Sequence, residues 1–211
     1  MHLIGMLDSP YVRRVAVSLH SLGLPFTHEA LSVFRNYDSF AAINPVVKAP
    51  TLVTDDGVVL MESSLILQHA ARLTGSGRSL DPAGTQDHAR AQRIIGLALA
   101  ACDKTVQIIY EHSLRPSEKR HQPLLDRVHG QLLAAYHLLE TEIGEREGWL
   151  LGEHMLQADI TAAIAWTFTS RTLPEVVSAA DLPALTRLTA RAEAQEAFRA
   201  WPYPSEKKIA Q

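Results

Sequence analysis

Residues 44 to 64 read NPVVKAPTLVTDDGVVLMESS, and this stretch decides the fold. Two apolar runs of strand length, 51–54 and 58–61, flank Asp55-Asp56-Gly57. An Asp-Gly pair between such runs is a strong hairpin signal, because glycine tolerates the positive φ that tight hairpin turns need. Apolar residues then recur at helical spacing as far as Leu73, with Ser63 or Ser64 as the predicted helix cap. The stretch predicts a strand, a turn, a strand and a helix.

The residues before this stretch predict another strand, helix and strand. Residues 2–7 form an apolar run of strand length, and after Asp8-Ser9-Pro10 the apolar positions fall at helical spacing up to Leu22. Gly23-Leu24-Pro25 ends that helix, and residues 26–33 can form a second strand. If the two strands pair in parallel, they make a βαβ unit. The predicted order over residues 1–73 is therefore βαβ, then ββα.

The second half of the chain has a different pattern. Residues 74–84 are rich in glycine and small polar residues, which is typical of a linker. Beyond Thr85, strand signals fade and helical periodicity predicts helices over 89–112, 118–145 and 158–170, with shorter ones between 181 and 201. We predict an α/β domain over residues 1–75, a linker over 76–84 and an all-α domain over 85–211.

Composition excludes several classes of protein. The chain has 211 residues, of which 46% are hydrophobic and 20% charged, as expected for a folded globular protein. Its formal net charge of −3 gives no drive to bind nucleic acid by counterion release. Residues 94–102, the longest apolar run, are too few to span a bilayer, and the N-terminus resembles no export signal. A single cysteine, Cys102, cannot form an internal disulfide, so a cytoplasmic location is expected.

Three short motifs admit both a structural and a functional interpretation. Ser9-Pro10 is a common helix start, but a hydroxyl at a helix N-terminus can also stabilise an anion. Ala49-Pro50 is by itself most compatible with a trans proline before a strand, since only about 5% of X-Pro bonds are cis. Glu62-Ser63 is by itself compatible with a solvated acid and a helix cap. Each motif alone is weak.

The order of these motifs is more informative than any one of them. Ser-Pro-Tyr-Val-Arg-Arg over 9–14 follows a strand, 44–50 precedes a hairpin, and Glu62-Ser63-Ser64 opens a helix. This order resembles the N-terminal half of the glutathione S-transferase family, and 22–26 resembles a recurring segment of it. The family joins a thioredoxin-like domain to an all-helical one, so the resemblance covers essentially the whole chain. It implies a thioredoxin-like α/β domain followed by an all-α domain.

The resemblance also implies roles for individual residues in binding glutathione. Ser9 falls where serine-type classes keep the catalytic hydroxyl that faces the glutathione sulfur, although some classes place it at the position of Asp8. Pro50 matches the family's cis-proline, and Ala49 matches the residue whose main chain pairs with the cysteinyl unit. The remaining implied contacts are Glu62 and Ser63 for the γ-glutamyl end, and Lys48 and Arg35 for the glycyl carboxylate.

These implied contacts agree with the chemistry of the ligand. Glutathione is an anionic, extended tripeptide, so a strand end, a helix N-terminus and a cation suit its main chain and its carboxylates. Free thiols titrate near a pKa of about 8.5, and a helix N-terminus that stabilises the thiolate raises the reactive fraction at neutral pH.

Tyr11 and three residues of the helical half are candidates for an electrophile pocket. The resemblance suggests Tyr11, Cys102, Tyr110 and Trp166 as pocket walls, while core packing explains the three aromatic residues equally well and favours an inert, buried Cys102. No HExxH or CxxC motif occurs, so no metal site is expected.

One position of the helical half departs from the family's pattern. Leu156 stands three residues before Asp159, where the family usually has a Ser or Thr cap. Unless another contact replaces it, the missing capping bond costs about 1 kcal/mol.

Taken together, the resemblance implies a detoxification-type transferase that adds the glutathione thiolate to a small, apolar electrophile and works as a homodimer. Dehalogenation, isomerisation and peroxide reduction on the same scaffold leave similar sequence marks. Two other classes remain open. One is a non-catalytic interaction or regulatory protein of the same fold. The other is a glutathione-dependent disulfide reductase, which ordinarily uses a cysteine at the position of Ser9.

Overall fold

The structure is a computed structural model and describes residues 1–75 and 77–205. Two compact units divide the described chain. Of the described residues, the first unit contains Met1–Leu80 and 195–205, and the second contains Asp81–Ala194. Ser76 of the predicted linker, and residues 206–211 of the predicted all-α domain, lie outside the described residues.

The first unit combines strands and helices, and the second is helical. In the first unit the elements are β1 His2–Ile4, α1 Pro10–Leu22, β2 Thr27–Glu29, α2 Tyr37–Ile43, β3 Thr51–Val53, β4 Val59–Met61 and α3 Ser63–Leu73. The second unit contains α4 Thr85–Ser113, α5 Gln122–Ile143, α6 Gln157–Thr172 and α7 Pro183–Glu193, with 3-10 turns at Ser117–Lys119 and Ala179–Asp181. The chain then returns to the first unit as α8 Glu196–Ala200.

The sheet has the strand order β2-β1-β3-β4. β1 pairs in parallel with β2 and antiparallel with β3, and β3 pairs antiparallel with β4. The predicted βαβ and ββα units are therefore confirmed. The strands are shorter than predicted, and β1 stops at Gly5, whose φ is +136°. A Cβ at this position would lie 2.6 Å from Cγ2 of Val12, so only glycine fits between β1 and α1.

The helix α2 lies in a stretch that the sequence pattern leaves irregular. Only Phe40 of its seven residues is buried, and its N-cap Asn36 makes no side-chain capping bond. A helix held by one apolar contact has no apolar stripe, and the stripe is the signal that periodicity detects.

The returning segment belongs to the α/β unit, whereas the sequence pattern assigned it to the all-α domain. Phe198 is fully buried, and α8 contacts α1. The ring of Trp201 stacks on Phe26 with 4.9 Å between centroids, and its backbone carbonyl accepts a hydrogen bond of 2.9 Å from Nε of Arg13. These contacts complete one side of α1.

The long predicted helices of the second unit are confirmed, with ends that shift by a few residues. α5 begins at Gln122 rather than at Glu118, because Ser117–Lys119 forms a separate 3-10 turn. Among the described helices, none is long and apolar enough to cross a membrane.

The start of α6 lacks the capping bond that a Ser or Thr would supply, because leucine at position 156 has no acceptor. The carboxylate of Asp159 instead accepts from the backbone N–H groups of Leu150 at 2.9 Å and Leu156 at 2.8 Å. Burial raises the pKa of this carboxyl even though both N–H groups favour its charged form. One of the two bonds of a capping box is thus formed and the other is missing, and Asp159 also fixes the preceding loop.

Candidate functional site

The strand pairing brings the predicted glutathione-binding residues to one edge of the sheet. Ile4 at the end of β1 lies opposite Glu29 at the end of β2 and opposite Thr51 at the start of β3. Thr51 in turn lies opposite Met61 at the end of β4. The segments that follow β1, β2 and β4, and the segment that precedes β3, therefore meet at the same edge. We call this the site edge, and it carries Ser9, Arg35, Lys48, Ala49, Pro50, Glu62 and Ser63.

Ser9 is the N-cap of α1 and is partly buried. Its Oγ lies 3.5 Å from the backbone nitrogen of Val12, which is long for a capping bond. A hydroxyl that accepts in this way keeps its own proton as a donor. Ser9 can thus donate a hydrogen bond to an anion at the helix N-terminus.

Asp8 precedes the cap and is also partly buried. Burial raises the pKa of its carboxyl, while the positive charge of Arg35 and the backbone N–H of Ser9 oppose that rise. The side chain of Arg35 is exposed, and its backbone N–H donates to Oγ of Ser32 at 3.2 Å. The attraction between Asp8 and Arg35 links the loop after β1 to the loop after β2.

The segment before β3 has the cis Ala49–Pro50 peptide bond that the resemblance implies. Its loop is fixed by a short relay of hydrogen bonds. The side-chain amide of buried Asn44 donates to Oγ1 of Thr51 at 2.9 Å, and that hydroxyl donates to the carbonyl of Lys48 at 2.7 Å. The side chain of Lys48 is exposed at the site edge.

The cap of α3 is Glu62, so the predicted cap at Ser63 or Ser64 is wrong. Glu62 adopts φ 73° and ψ 117°, and both its carboxylate oxygens lie 3.2 Å from the backbone nitrogen of Ser64. The left-handed backbone folds this side chain over the helix start. Ser63 is the first residue of the helix, is buried, and has its Oγ 3.4 Å from Oε1 of Glu62.

A residue without a predicted role, Arg14, connects α1 to this helix start. Its guanidinium is buried, and Nη1 donates to Oγ of Ser63 at 3.0 Å and to Oγ of Ser64 at 3.1 Å. The available sequence signal is a pair of consecutive arginines inside an otherwise apolar helix. An arginine in such a position must find hydrogen-bond partners inside the fold.

The four suggested pocket residues lie in different environments. Tyr11 is partly buried in α1 of the first unit. Cys102 and Trp166 are buried in the helical unit, where Trp166 meets the ring of Tyr136 edge-on at 5.4 Å. Tyr110 lines a cavity of about 640 Å³ between the end of α4 and the start of α5, together with Glu111, Leu114, Arg115, Leu124 and Val128. Of the four residues, only Tyr110 lines this cavity of the helical unit.

No group of three or more His, Cys, Asp or Glu side chains that could hold a metal ion occurs in residues 1–75 and 77–205. The site edge itself carries the hydroxyls of Ser9 and Ser63, the carboxylates of Asp8 and Glu62, and the exposed cations Arg35 and Lys48.

A four-stranded mixed sheet, a cis-proline before its third strand and a following helical unit define a thioredoxin-like protein with an added helical domain. The sequence profile of the glutathione S-transferase N-terminal domain matches residues 3–78, and that of the C-terminal domain matches residues 101–196. The chain belongs to the glutathione S-transferase family.

Similar proteins have been solved with glutathione or its derivatives. A glutathione S-transferase from Methylobacterium radiotolerans, in complex with glutathione sulfonate, is 28% identical with a TM-score of 0.90, over 100% of this chain and 97% of that one. A glutathione transferase family member from Pseudomonas fluorescens, with bound glutathione, is 28% identical with a TM-score of 0.83, over 96% and 98% of the two chains. Glutathione S-transferase U3 of Arabidopsis thaliana is 30% identical over 67% of this chain and 59% of its own length.

Proposed function

We propose that this chain is a serine-type glutathione transferase, which binds glutathione at the site edge and activates its thiol for attack on a small, apolar electrophile. The observation that carries the proposal is the strand pairing, which gathers the Ser9 helix start, the cis-proline loop and the Glu62 helix start at one edge. Family membership and the glutathione-bound relatives support it. We also propose that the protein is a homodimer and is located in the cytoplasm.

The γ-glutamyl end of the tripeptide fits the start of α3. This end carries one carboxylate and one ammonium group. The first N–H groups of a helix lack intrahelical partners and favour an anion, so the carboxylate would accept from the helix start and from the hydroxyl of Ser63. The ammonium group would donate to the carboxylate of Glu62, which the left-handed backbone holds over the same turn.

The other two units of glutathione fit the loops of the site edge. The cysteinyl unit would pair through its main chain with Ala49, next to the cis-proline, as an extended peptide pairs with a strand end. The glycyl carboxylate would meet Lys48 or Arg35, both of which are exposed cations at this edge. This orientation directs the cysteinyl sulfur toward the loop that follows β1.

Ser9 would then stabilise the glutathione thiolate. Serine is too weak a base at neutral pH to remove the thiol proton, so its hydroxyl acts by donating a hydrogen bond to the sulfur anion. The dipole of α1 adds roughly 0.3 to 1 kcal/mol for a charge at its N-terminus. The deprotonated sulfur attacks the electrophilic carbon and forms a C–S bond, while the electron pair moves to a leaving group or to an acceptor atom.

The electrophile is proposed to be apolar, because the aromatic candidates offer mainly apolar surface. Tyr11 is partly accessible in the first unit and Tyr110 is accessible in the helical unit, whereas Cys102 and Trp166 are buried in the helical unit. We therefore expect aryl or alkyl substrates to react faster than charged ones.

Calorimetric titration with glutathione and with glutathione sulfonate tests this proposal. The sulfonate is permanently charged where the thiolate would form, so we expect it to bind at least as tightly as glutathione. Conjugation rates with an activated aryl halide and an alkyl epoxide then test catalysis. Absence of glutathione binding would favour the non-catalytic interaction protein, and reduction of a glutathione mixed disulfide without conjugation would favour the reductase.

A further inference from the structure

We propose that Arg14 is the positioning residue that makes the start of α3 specific for an α-amino acid group, and so for the γ-glutamyl end of glutathione. The inference rests on the proposed function and concerns the same site. Arg14 acts through Ser63 and Ser64, and we infer no contact between its guanidinium and the ligand.

The first observation is the geometry of the guanidinium. Arg14 lies on α1, is only 4% exposed, and reaches α3 through Nη1. Nη1 donates to Oγ of Ser63 at 3.0 Å and to Oγ of Ser64 at 3.1 Å. One nitrogen thus fixes two hydroxyl oxygens of the first helical turn as acceptors.

The second observation concerns the protons of these two hydroxyl groups, which remain available as hydrogen-bond donors. A serine oxygen that accepts from a guanidinium still carries its own O–H donor. In Ser63 this donor has Oε1 of Glu62 at 3.4 Å, which is long for an O–H···O bond. A ligand carboxylate at the helix start would be a better acceptor. Without Arg14 the hydroxyl could rotate and present its oxygen to the carboxylate, which would repel it.

The third observation is the arrangement of charge. A guanidinium stays protonated at all relevant pH values, so Arg14 adds a fixed positive charge behind the N-terminus of α3, where the helix dipole already favours an anion. The carboxylate of Glu62 caps the same turn with the opposite charge. A ligand group that carries one carboxylate and one ammonium matches this pair of charges, whereas a simple dicarboxylate or diamine does not.

The neighbouring arginine provides a matched control. Arg13 is 1% exposed in the same helix, but it faces the returning segment. Its Nε donates to the carbonyl of Trp201 at 2.9 Å, and its guanidinium lies 5.2 Å from the ring centre of Phe198. Replacing either arginine removes a buried cation from α1. Arg14 bonds to the start of α3, whereas Arg13 bonds to the returning segment.

The test compares Arg14→Met and Arg13→Met with two ligands. One ligand is glutathione, and the other is γ-aminobutyryl-cysteinylglycine, which lacks the α-carboxylate. Methionine fills a similar volume without a charge. We expect Arg14→Met to weaken glutathione binding roughly ten- to a hundredfold, as the loss of a hydrogen bond to a charged group does, and to change the affinity for the analogue by less than about threefold. Arg13→Met should change both affinities by the same factor.

Equal losses for both ligands, or a loss no larger than that of Arg13→Met, would overturn the inference. If the parent binds neither ligand, the proposed function itself fails, which is a different result. Should Arg14→Met not fold, Arg14→Lys is measured in the parent and in Ser63→Ala. The lysine variant should weaken glutathione binding less in the Ser63→Ala background than in the parent, and additive losses would count against coupling through the hydroxyl.

Discussion

At Ser9 the observed helix cap and the proposed catalytic role coincide, and substitutions can separate them. Ser9→Ala removes both the helix cap and the proposed hydrogen bond to the thiolate, so we expect the pKa of the bound glutathione thiol to rise and conjugation to slow. Glutathione affinity should change less, because the ends of the peptide keep their contacts. Ultraviolet absorbance of the bound thiolate, followed against pH, measures the first effect.

Ser9→Gly is the control, since glycine at an N-cap costs only a few tenths of a kcal/mol and has no side-chain donor. It should restore stability without restoring the thiol titration. If the thiol titration and the conjugation rate are unchanged in Ser9→Ala, Ser9 is a helix cap only. In Ser9→Cys, the new thiolate should attack glutathione disulfide, form a mixed disulfide and release one glutathione thiolate, which would move the chemistry toward that of a disulfide reductase.

Asp8 predicts a dependence of stability on pH. Its pKa is raised in the folded protein from the ordinary 3.8, mainly by burial, so the folded state holds a proton that the unfolded state has released. Stability contributed at this site therefore falls as pH rises from below 3.8 through the folded pKa. Urea unfolding of Asp8→Asn should show a variant whose stability relative to the parent increases over that range. A pH-independent difference would contradict the prediction.

The sequence pointed to the residues of the site that lie in short motifs, and it missed those that act across the fold. Ser9, Pro50 and Glu62 stand beside strand ends or helix starts, where local order already suggests a role. The role proposed for Arg14 depends on its contact with a serine 49 positions later, and no periodicity encodes that contact. Likewise, the positive φ of Glu62 lets its side chain cap the helix, so the cap lies one residue before the first of the two expected serines.

At the scale of elements, one side chain of α5 caps a different helix. The carboxylate of Glu140 accepts from the backbone N–H groups of Ala184 at 2.7 Å and Leu185 at 2.9 Å, at the start of α7. Glu140→Gln keeps one acceptor and loses the charge that complements the helix dipole. We expect it to reduce the free energy of unfolding by about 1 to 2 kcal/mol, as measured by urea denaturation.

Glu142→Gln is the matched control two residues further along α5. Glu142 pairs with Arg93 at 2.6 Å, but the side chain of Arg93 is largely exposed. Exposed ion pairs contribute less than about 1 kcal/mol, so this variant should stay close to the parent. An equal loss of unfolding free energy in both variants would contradict a capping role for Glu140.

Elements with strong local signals were predicted, and elements that depend on distant packing were not. The Asp-Gly turn predicted the hairpin, and the apolar stripe of α1 predicted the first helix. The helix α2 has a single buried residue and so lacks the stripe that periodicity detects, whereas α8 lies within the range where shorter helices were predicted. The assignment of α8 to the α/β unit depends on Phe26 and Arg13, which lie far away in the sequence.

At the scale of the whole chain, the returning segment should stabilise the first unit. Phe198 is 0% exposed against α1, so Phe198→Ala leaves a cavity that costs about 3 to 5 kcal/mol. Native-state hydrogen exchange should show faster exchange of the α1 amides, while the α6 amides stay protected. Phe34→Ala, at a side chain that is 43% exposed, should leave both helices unchanged. Equal acceleration in α1 and α6 would contradict this local effect.

We predict that the protein is a homodimer, as the family resemblance implies. Exposed apolar side chains on α3, such as Leu65 and Leu73, are the kind of surface that a partner covers. Sedimentation velocity at micromolar concentration should give the mass of two chains, and a single-chain mass would contradict the prediction.

The return of the chain to its first unit also bears on the protein's synthesis. Residues from both sides of Asp81–Ala194 build the α/β unit, so the helical unit is, in sequence, an insertion within it. During translation α1 leaves the ribosome long before Phe198 is made, and the apolar surface that this residue covers stays open in the nascent polypeptide. A released chain that ends at Ala194 would therefore contain the whole helical unit and an α/β unit that still exposes an apolar surface to a chaperone.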